Sequence, residues 1–169
     1  MSEPHLHGLS ESRPILVRGD EAEVLGTAPD TMALLADVSA TGGFLSTSRT
    51  TLGRGKDGAA PHYHRASAEM FFVLEGRLQV LADQEVVTAH AGDMLVVPPH
   101  TAHAFAAAPD SGADVLIVMT PGVERFAYFR LLDRIRRGLA DPGDVLATRE
   151  RFDNHFVDSD AWRRARLAA

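Results

Sequence analysis

The stretch from Pro61 to Glu69 reads PHYHRASAE and carries two histidines and a carboxylate. His62 and His64 lie two residues apart, so on a β-strand their side chains point to the same face. His103 follows 34 residues after Glu69. Three imidazoles and one carboxylate can bind a divalent metal and leave positions open for water, substrate or oxygen. The sequence therefore predicts a metal site formed by His62, His64, Glu69 and His103.

Composition limits the classes of protein to which the chain can belong. It has 169 residues, of which 45% are hydrophobic, enough for one domain with a core. Its formal net charge of −6 argues against a nucleic-acid partner and against an anionic membrane surface. There is no cysteine, so metal ligands must be imidazoles or carboxylates. Because we find neither a secretory signal nor an apolar run that could span a membrane, we predict a cytoplasmic protein.

Residues 14–120 contain short apolar or alternating segments separated by turn residues, without strand–helix–strand alternation. This pattern predicts an antiparallel β-sandwich or barrel. Ile15–Val17 is predicted to form its first strand. Residues 68–82 are predicted to form a hairpin that reverses at Glu75-Gly76. The polar residues 1–13, which precede this domain, are predicted to be a flexible tail.

Helical periodicity marks residues 121–169. Apolar residues spaced three and four apart predict an amphipathic helix at Val123–Arg137. A second helix is predicted from Asp144 to about Val157. A third, capped by Ser159 or the next residue, is predicted through Trp162 to Leu167. Because this tail is too short for a core of its own, its helices are predicted to pack on the barrel or on another subunit.

The spacing of the predicted ligands resembles that of the cupin superfamily. In the first cupin motif, His-x-His is followed by a glutamate and then a glycine. Here His62-x-His64 is followed by four residues, Glu69, six residues and Gly76, which matches that part of the motif. The resemblance implies a mainly β fold, a cupin jelly-roll β-barrel with a C-terminal α-helical tail.

The second cupin motif is matched with two departures. Gly92, Pro98 and His103 stand at the expected spacing. His100 occupies a position where the motif has glycine, and Ala107 one where it has asparagine. All the ligand positions are nevertheless filled.

Two further segments are similar to the single-domain quercetin-dioxygenase-like cupins. They are Glu69–Gly76, which reads EMFFVLEG, and Thr120–Phe126, which reads TPGVERF. This resemblance implies one divalent transition metal per chain: Fe, Mn, Ni, Co, Cu or Zn. The metal would act as a Lewis acid, and Glu69 would be the catalytic general base. The implied reaction is ring cleavage of a flavonol-like or other enolic aromatic substrate with O2.

Cupins host several chemistries on one fold, so other functions stay open. One alternative is a metal-dependent cyclase or isomerase that acts on a polyketide-type or sugar-like substrate without oxygen. Another is a non-catalytic cupin that binds a small molecule. In each case the predicted partner is a small molecule, not a nucleic acid or a membrane.

A substrate pocket is predicted from apolar residues near the ligands, with Phe126 and Phe129 as a lid over the barrel mouth. The predicted wall residues are Phe44, Phe71, Val73, Met94, Val96 and Phe105. His100 is predicted to lie beside the site, while His90 and His155 are predicted to face solvent. Apolar residues on the second face of one strand are Met70, Phe72 and Leu74, and they predict a homodimer formed through the sheet.

Overall fold

The structure, a computed structural model, describes residues 13–167. Within that range the chain forms ten strands and three short helices. The elements are β1 (Glu23–Thr27), β2 (Asp30–Ala36), β3 (Ser46–Leu52), β4 (Asp57–Tyr63), β5 (Ala68–Ala82), β6 (Glu85–His90), β7 (Met94–Val97), β8 (His103–Ala107), β9 (Ala113–Thr120), α1 (Phe126–Arg136), α2 (Gly143–Ala147), β10 (His155–Phe156) and α3 (Asp160–Leu167).

The strands form a curled antiparallel sheet that folds into two layers. One layer has the order β1-β2-β3-β9-β5-β7, and the other has the order β10-β4-β8-β5-β6. Strand β5 belongs to both layers, so the sheet is continuous through it. The mainly β class and the barrel-like architecture predicted from the sequence are confirmed.

Strand β5 bends at Gly76 and does not reverse there. The register shifts between Val73 and Glu75, and Gly76 has a φ of +72°. A Cβ at Gly76 would lie 2.0 Å from the carbonyl oxygen of Gly112, so only glycine fits. A bulge with a left-handed glycine turns a strand through a corner. The predicted hairpin at this point is therefore wrong, because both halves form one 15-residue strand.

The core lies between the two layers and contains the inward face of both halves of β5. Phe71 and Val73 before the bend, and Leu78 and Val80 after it, are at most 1% exposed. Burial of each such side chain contributes about 1.5–3 kcal/mol of hydrophobic free energy. This alternation places Glu69, two residues before Phe71, on the same inward face.

The beginning of the described chain differs from the prediction. Ile15–Val17 forms no strand, and Ile15 and Leu16 are 49% and 73% exposed. Three adjacent apolar residues are a weak signal, since they show no alternation. The first strand is β1. The predicted flexible tail, residues 1–13, lies outside the described residues except for its last residue.

The C-terminal segment contains α1 and α3 as predicted, whereas the predicted second helix, α2, begins as predicted but is much shorter. That helix ends at Ala147, and after a series of turns His155–Phe156 forms β10 against β4. The free edge of β4 offers hydrogen bonds that a longer surface helix would not use. The Ser159 hydroxyl accepts a hydrogen bond from the Trp162 amide at 3.2 Å, as a cap. No helix in the described range is long and apolar enough to cross a membrane.

Trp162 anchors α3 to the barrel, where it is 7% exposed and packs on Leu81 and Ala104. We expect Trp162→Ala to lower the free energy of unfolding by about 3–5 kcal/mol, because it removes a large buried side chain. Leu167→Ala, in the same helix at a position 86% exposed, is the control and should change it by less than about 0.5 kcal/mol. Urea unfolding of both variants measures this difference. Equal effects would show that α3 does not pack on the barrel in solution.

Candidate metal centre

Three neighbouring strands bring the four predicted ligands together. His62 lies in β4 and His64 directly follows it, while Glu69 lies in β5. His103 begins β8 and is paired with His62 in the sheet. All four side chains are buried, and one potential ligand atom from each lies within 4.8 Å of the others. Metal bonds of about 2.0–2.2 Å require ligand atoms at most about 4.4 Å apart, so the cluster is close to the required size.

Backbone carbonyls orient all three imidazoles through the same ring nitrogen. A carbonyl oxygen can only accept a hydrogen bond, so each Nδ1 is the donor and, in the neutral ring, each Nε2 keeps its lone pair. This is the tautomer that a metal ligand requires. The accepting oxygens belong to Ala60, Asp153 and Thr101, at 2.7, 2.5 and 2.9 Å from Nδ1 of His62, His64 and His103 respectively.

The Glu69 carboxylate lies against two of these free nitrogens. Its Oε2 is 2.7 Å from Nε2 of His103 and 3.3 Å from Nε2 of His64. Two acceptors can approach this closely when a cation, either a proton or a metal ion, lies between them. Imidazole and carboxylate ligands suit a divalent transition metal. The four residues therefore fit a metal ion and could hold one.

The electrostatics of the cluster keep Glu69 and His62 in the forms that bind metal. Burial raises the pKa of Glu69, but the adjacent imidazoles of His103 and His64 outweigh it and hold that pKa well below its usual range. Burial, together with the neighbouring His103 and His64, lowers the pKa of His62 well below its usual range. At neutral pH Glu69 is a carboxylate and His62 is neutral.

Asp153 supports the site in a way that the sequence did not reveal. Its carbonyl oxygen orients His64, and its carboxylate accepts hydrogen bonds from the amides of Arg65 and Ala66 at 2.8 and 2.9 Å. These contacts fix the loop between His64 and Glu69. The residue is 89 positions from His64 in sequence. No motif or spacing connects them, so only the fold could show this role.

The remaining histidines are placed differently from one another. His155, predicted to face solvent, is 6% exposed and stacks on Tyr63 at 5.1 Å between ring centres, so that prediction is wrong. His90 is exposed, as predicted. His100 is also exposed, has a φ of +63°, and donates its amide to the carbonyl of His64 at 2.7 Å. It therefore adopts the backbone conformation of the glycine that it replaces.

Five of the eight predicted pocket residues are buried or half-buried. Phe71, Val73 and Phe105 belong to the core, with Phe71 and Phe105 at 5.4 Å between ring centres. Phe126 and Phe129 are half-buried at the start of α1. Phe129 lines a narrow cavity beside Glu69, whereas no described cavity includes Phe126.

The other three predicted pocket residues lie on the outside of the sheet. Phe44, Met94 and Val96 are 66%, 62% and 52% exposed, so their assignment to the pocket is corrected. In β7 it is Leu95 and Val97 that face the core. A shift of one residue in a strand moves every side chain to the opposite face. Pairing with β5, rather than the turn before His103, determines which residues face inward.

Two cavities lie near α1. The larger, about 580 Å³, is an open cleft between α1 and the first strands, and Phe105 and Phe129 are among its lining residues. The smaller lies beside Glu69 and is also lined by Arg125 and Phe129. Phe129 lines both, so it borders the wide cleft on one side and the cavity beside Glu69 on the other. The volume of the cleft suits a small-molecule ligand, but the charged side chains of Glu69 and Arg125 line the smaller cavity.

Comparison with known proteins agrees with this geometry. The family model of the cupin domain matches residues 48–119. The polyketide synthase CurC of Streptomyces cyaneus is 30% identical over 118 residues, which cover 70% of either chain. Quercetin 2,3-dioxygenase of Bacillus subtilis (strain 168) is 30% identical over 106 residues, which cover 62% of this chain but only 30% of the dioxygenase.

Solved structures show the same architecture. KdgF from Halomonas sp. has a TM-score of 0.57 and 20% sequence identity, over 69% of this chain and 99% of that one. At this identity the likeness concerns the fold alone. Together with the family match and the relative CurC, it shows that the chain belongs to the cupin superfamily.

Proposed function

We propose that the chain is a metal-dependent enzyme that acts on a small enolic substrate. The observation that carries this proposal is the convergence of three free Nε2 atoms and the Glu69 carboxylate beside a cavity. His62, His64, Glu69 and His103 would hold one divalent transition metal. When bound, such a metal supplies Lewis-acid activation of a substrate oxygen.

Glu69 is proposed to take the proton from the substrate. Its pKa is held low only while it contacts His103 and His64, whereas its burial acts in the opposite direction. A Glu69 side chain that moves away from these imidazoles and stays buried becomes a stronger base. The same carboxylate can therefore serve first as a ligand and then as a proton acceptor.

Ring-cleaving dioxygenation of a flavonol-like or other enolic aromatic is the first candidate reaction. The aromatic rings of Phe105 and Phe129 line the open cleft, as suits a flat aromatic ligand, and one relative is a quercetin dioxygenase. Cyclisation of a polyketide-type substrate without oxygen is the second candidate. It is supported by the relative CurC, which matches over the larger share of its own length. A non-catalytic binding function would use the same site without turnover.

Metal binding is the first test. We expect His62→Ala or Glu69→Gln to weaken binding of Zn²⁺ or Mn²⁺ by about 100-fold or more, since even residues that only support ligands contribute about 10- to 100-fold. Metal content after dialysis and isothermal titration measure this. His90→Ala and Glu75→Gln change the same residue types at exposed positions and should bind metal as the unmodified protein does. Unchanged binding in Glu69→Gln would contradict the proposed ligand set.

The reaction class is the second test. The protein loaded with Fe²⁺, Mn²⁺, Ni²⁺, Co²⁺, Cu²⁺ or Zn²⁺ should consume O2 when mixed with a flavonol in an oxygen electrode. We expect chelation to abolish the rate and Glu69→Gln to lower it by about 100-fold or more, as a general base typically contributes this much. Turnover of an enolic polyketide under strict anaerobiosis would favour the cyclase instead. Tight binding without turnover of either class would contradict an enzymatic function.

We also propose that the protein is a homodimer formed through the outer face of the sheet. Apolar residues on β5 and β7 lie directly opposite one another there, with Met70 paired to Val96 and Phe72 to Met94. Met94 and Val96 are more than half exposed. A continuous apolar face of this kind is typical of an interface. A second copy of the chain presents the same apolar face, so two copies can pack against each other through it. Cytoplasmic location stays a prediction.

A charge placed in this face should separate the dimer. We expect Val96→Asp to convert the protein from dimer to monomer, because a carboxylate would have to be buried in the contact. Size-exclusion chromatography with light scattering measures the mass. Val87→Asp is the control, since Val87 is exposed on β6 away from this face. A monomeric unmodified protein, or a Val96→Asp dimer, would refute the proposal.

A further inference from the structure

Arg125, directly before α1, is a buried cation that forms no salt bridge within the described residues, and the carboxylates that act on it from a greater distance are those of Glu69, Asp153 and Asp37. The residue is 5% exposed, and its Nη1 donates a hydrogen bond to the carbonyl of Phe152 at 3.1 Å. Its Nε is buried and has no hydrogen-bond partner. Among residues 13–167, no salt bridge includes it. A buried charge is costly unless it is paired, so the environment of Arg125 favours an anion.

The unpartnered donor lies in the wall of the cavity beside Glu69. Arg125 and Ser46 both line this cavity, and the Ser46 hydroxyl, which is 1% exposed, also lacks a hydrogen-bond partner. Two buried polar groups of one small cavity are therefore unsatisfied. Unsatisfied buried donors are rare in folded proteins and call for a ligand or a water molecule. The cavity volume of about 10 Å³ suffices for one oxygen-sized group.

Other arginines in this structure show what the free side of Arg125 can bind. Arg130 and Arg151 each hold a glutamate carboxylate, Glu23 and Glu124, through Nε together with Nη2. This two-point contact matches the geometry of a carboxylate. In Arg125 the Nη1 is occupied and the Nε is free. The same contact is thus available in Arg125, but inside the protein.

We propose that Arg125 and Ser46 form an oxyanion site that binds a carboxylate of the substrate next to the metal cluster. One carboxylate oxygen would occupy the cavity beside Glu69, between the Arg125 Nε and the Ser46 hydroxyl. The second oxygen would contact Nη2 of Arg125, and the body of the substrate would extend past Phe129 into the open cleft. This inference names a substrate class for the proposed enzyme, a small organic acid, and in that respect rests on the proposed function.

A purely structural role for Arg125 makes a different prediction. The guanidinium lies over the rings of Tyr128 and Phe129, at 4.7 and 5.2 Å from their centres, and it binds the Phe152 carbonyl. These contacts could stabilise the C-terminal segment without any ligand. In that case the loss of Arg125 would alter stability, but the protein would not distinguish an anion from a neutral molecule of the same shape.

Formate and formamide are the probes, because they have nearly the same shape and differ in charge. The Zn²⁺-loaded protein, labelled with ¹⁵N-arginine, is titrated with each at constant ionic strength. The Arg125 Nε–H signal is assigned by its absence in Arg125→Lys. We expect formate to shift this signal in a saturable way and formamide to bind at least about tenfold more weakly, as charge-assisted hydrogen bonds imply.

Variants show whether Arg125 and Ser46 carry this preference. Arg125→Lys keeps the charge but loses the two-point contact, and should bind formate at least about tenfold more weakly. Ser46→Ala should weaken it by a smaller factor, roughly threefold. Arg130→Lys changes an exposed arginine of α1 and should leave formate affinity unchanged. Equal binding of formate and formamide, no binding of formate, or unchanged formate affinity in Arg125→Lys would each overturn the proposal.

The same titration of metal-free protein separates this inference from the proposed function. Binding that depends on Arg125 without metal supports the oxyanion site even if no turnover is found. Binding that requires zinc and persists in Arg125→Lys places formate on the metal alone and overturns the site, while leaving metal-dependent activity intact.

Discussion

The structure depends on one electrostatic constraint, a buried carboxylate enclosed by three imidazoles whose donors are already committed. Each Nδ1 is bound to a backbone carbonyl, so each neutral ring presents a lone pair to the centre. Glu69 adds a negative charge to the same small volume. Such an arrangement is stable only with a cation in it, either shared protons or a metal ion. Metal binding would therefore displace protons, and it would satisfy groups that the fold has already positioned.

The bend in β5 explains how the fold builds this centre. The half of the strand before Gly76 carries Glu69 in one layer, while the half after it pairs with β8, which begins at His103. Strand β5 thus positions two candidate ligands, Glu69 directly and His103 through its pairing with β8. The third contact comes from the C-terminal segment, where β10 pairs with β4 and Asp153 orients His64. The tail is therefore part of the candidate metal centre and not only a cover for the barrel.

The sequence predicted the cluster because its signals are local or depend on a fixed spacing. His62, His64 and Glu69 lie within one strand and the next, and His103 follows a recognisable turn. The sequence failed where the outcome depended on tertiary contacts. From the sequence alone, Gly76 is predicted to be a hairpin turn. Its close contact with Gly112 in the structure shows that it is a bend within one strand.

The errors at β7 and in the tail have the same origin. Nothing in the sequence of β7 distinguishes its inward from its outward residues, since apolar side chains occupy both faces. Similarly, Asp153 and His155 lie in a stretch with helical composition. Only pairing with β4 places His155 in a strand and brings Asp153, just before that strand, next to His64. Arg125 lies in Thr120–Phe126, a segment similar to the quercetin-dioxygenase-like cupins, yet the sequence of that segment does not predict that Arg125 is buried against Phe152.

The four candidate metal ligands alone would not determine which reaction the proposed enzyme performs, because one fold and one ligand set serve several chemistries. The choice would come from groups that lie near the candidate ligands without being ligands. Three such groups line the cavity beside Glu69: Ser46 from β3, Arg125 directly before α1, and Phe129 in α1. The unpartnered Nε of Arg125 and the unpartnered Ser46 hydroxyl favour an acidic substrate, whereas the aromatic ring of Phe129 favours a flat one. A substrate that combines an enolic ring with a carboxylate satisfies both, which neither the fold nor the four ligands would have indicated.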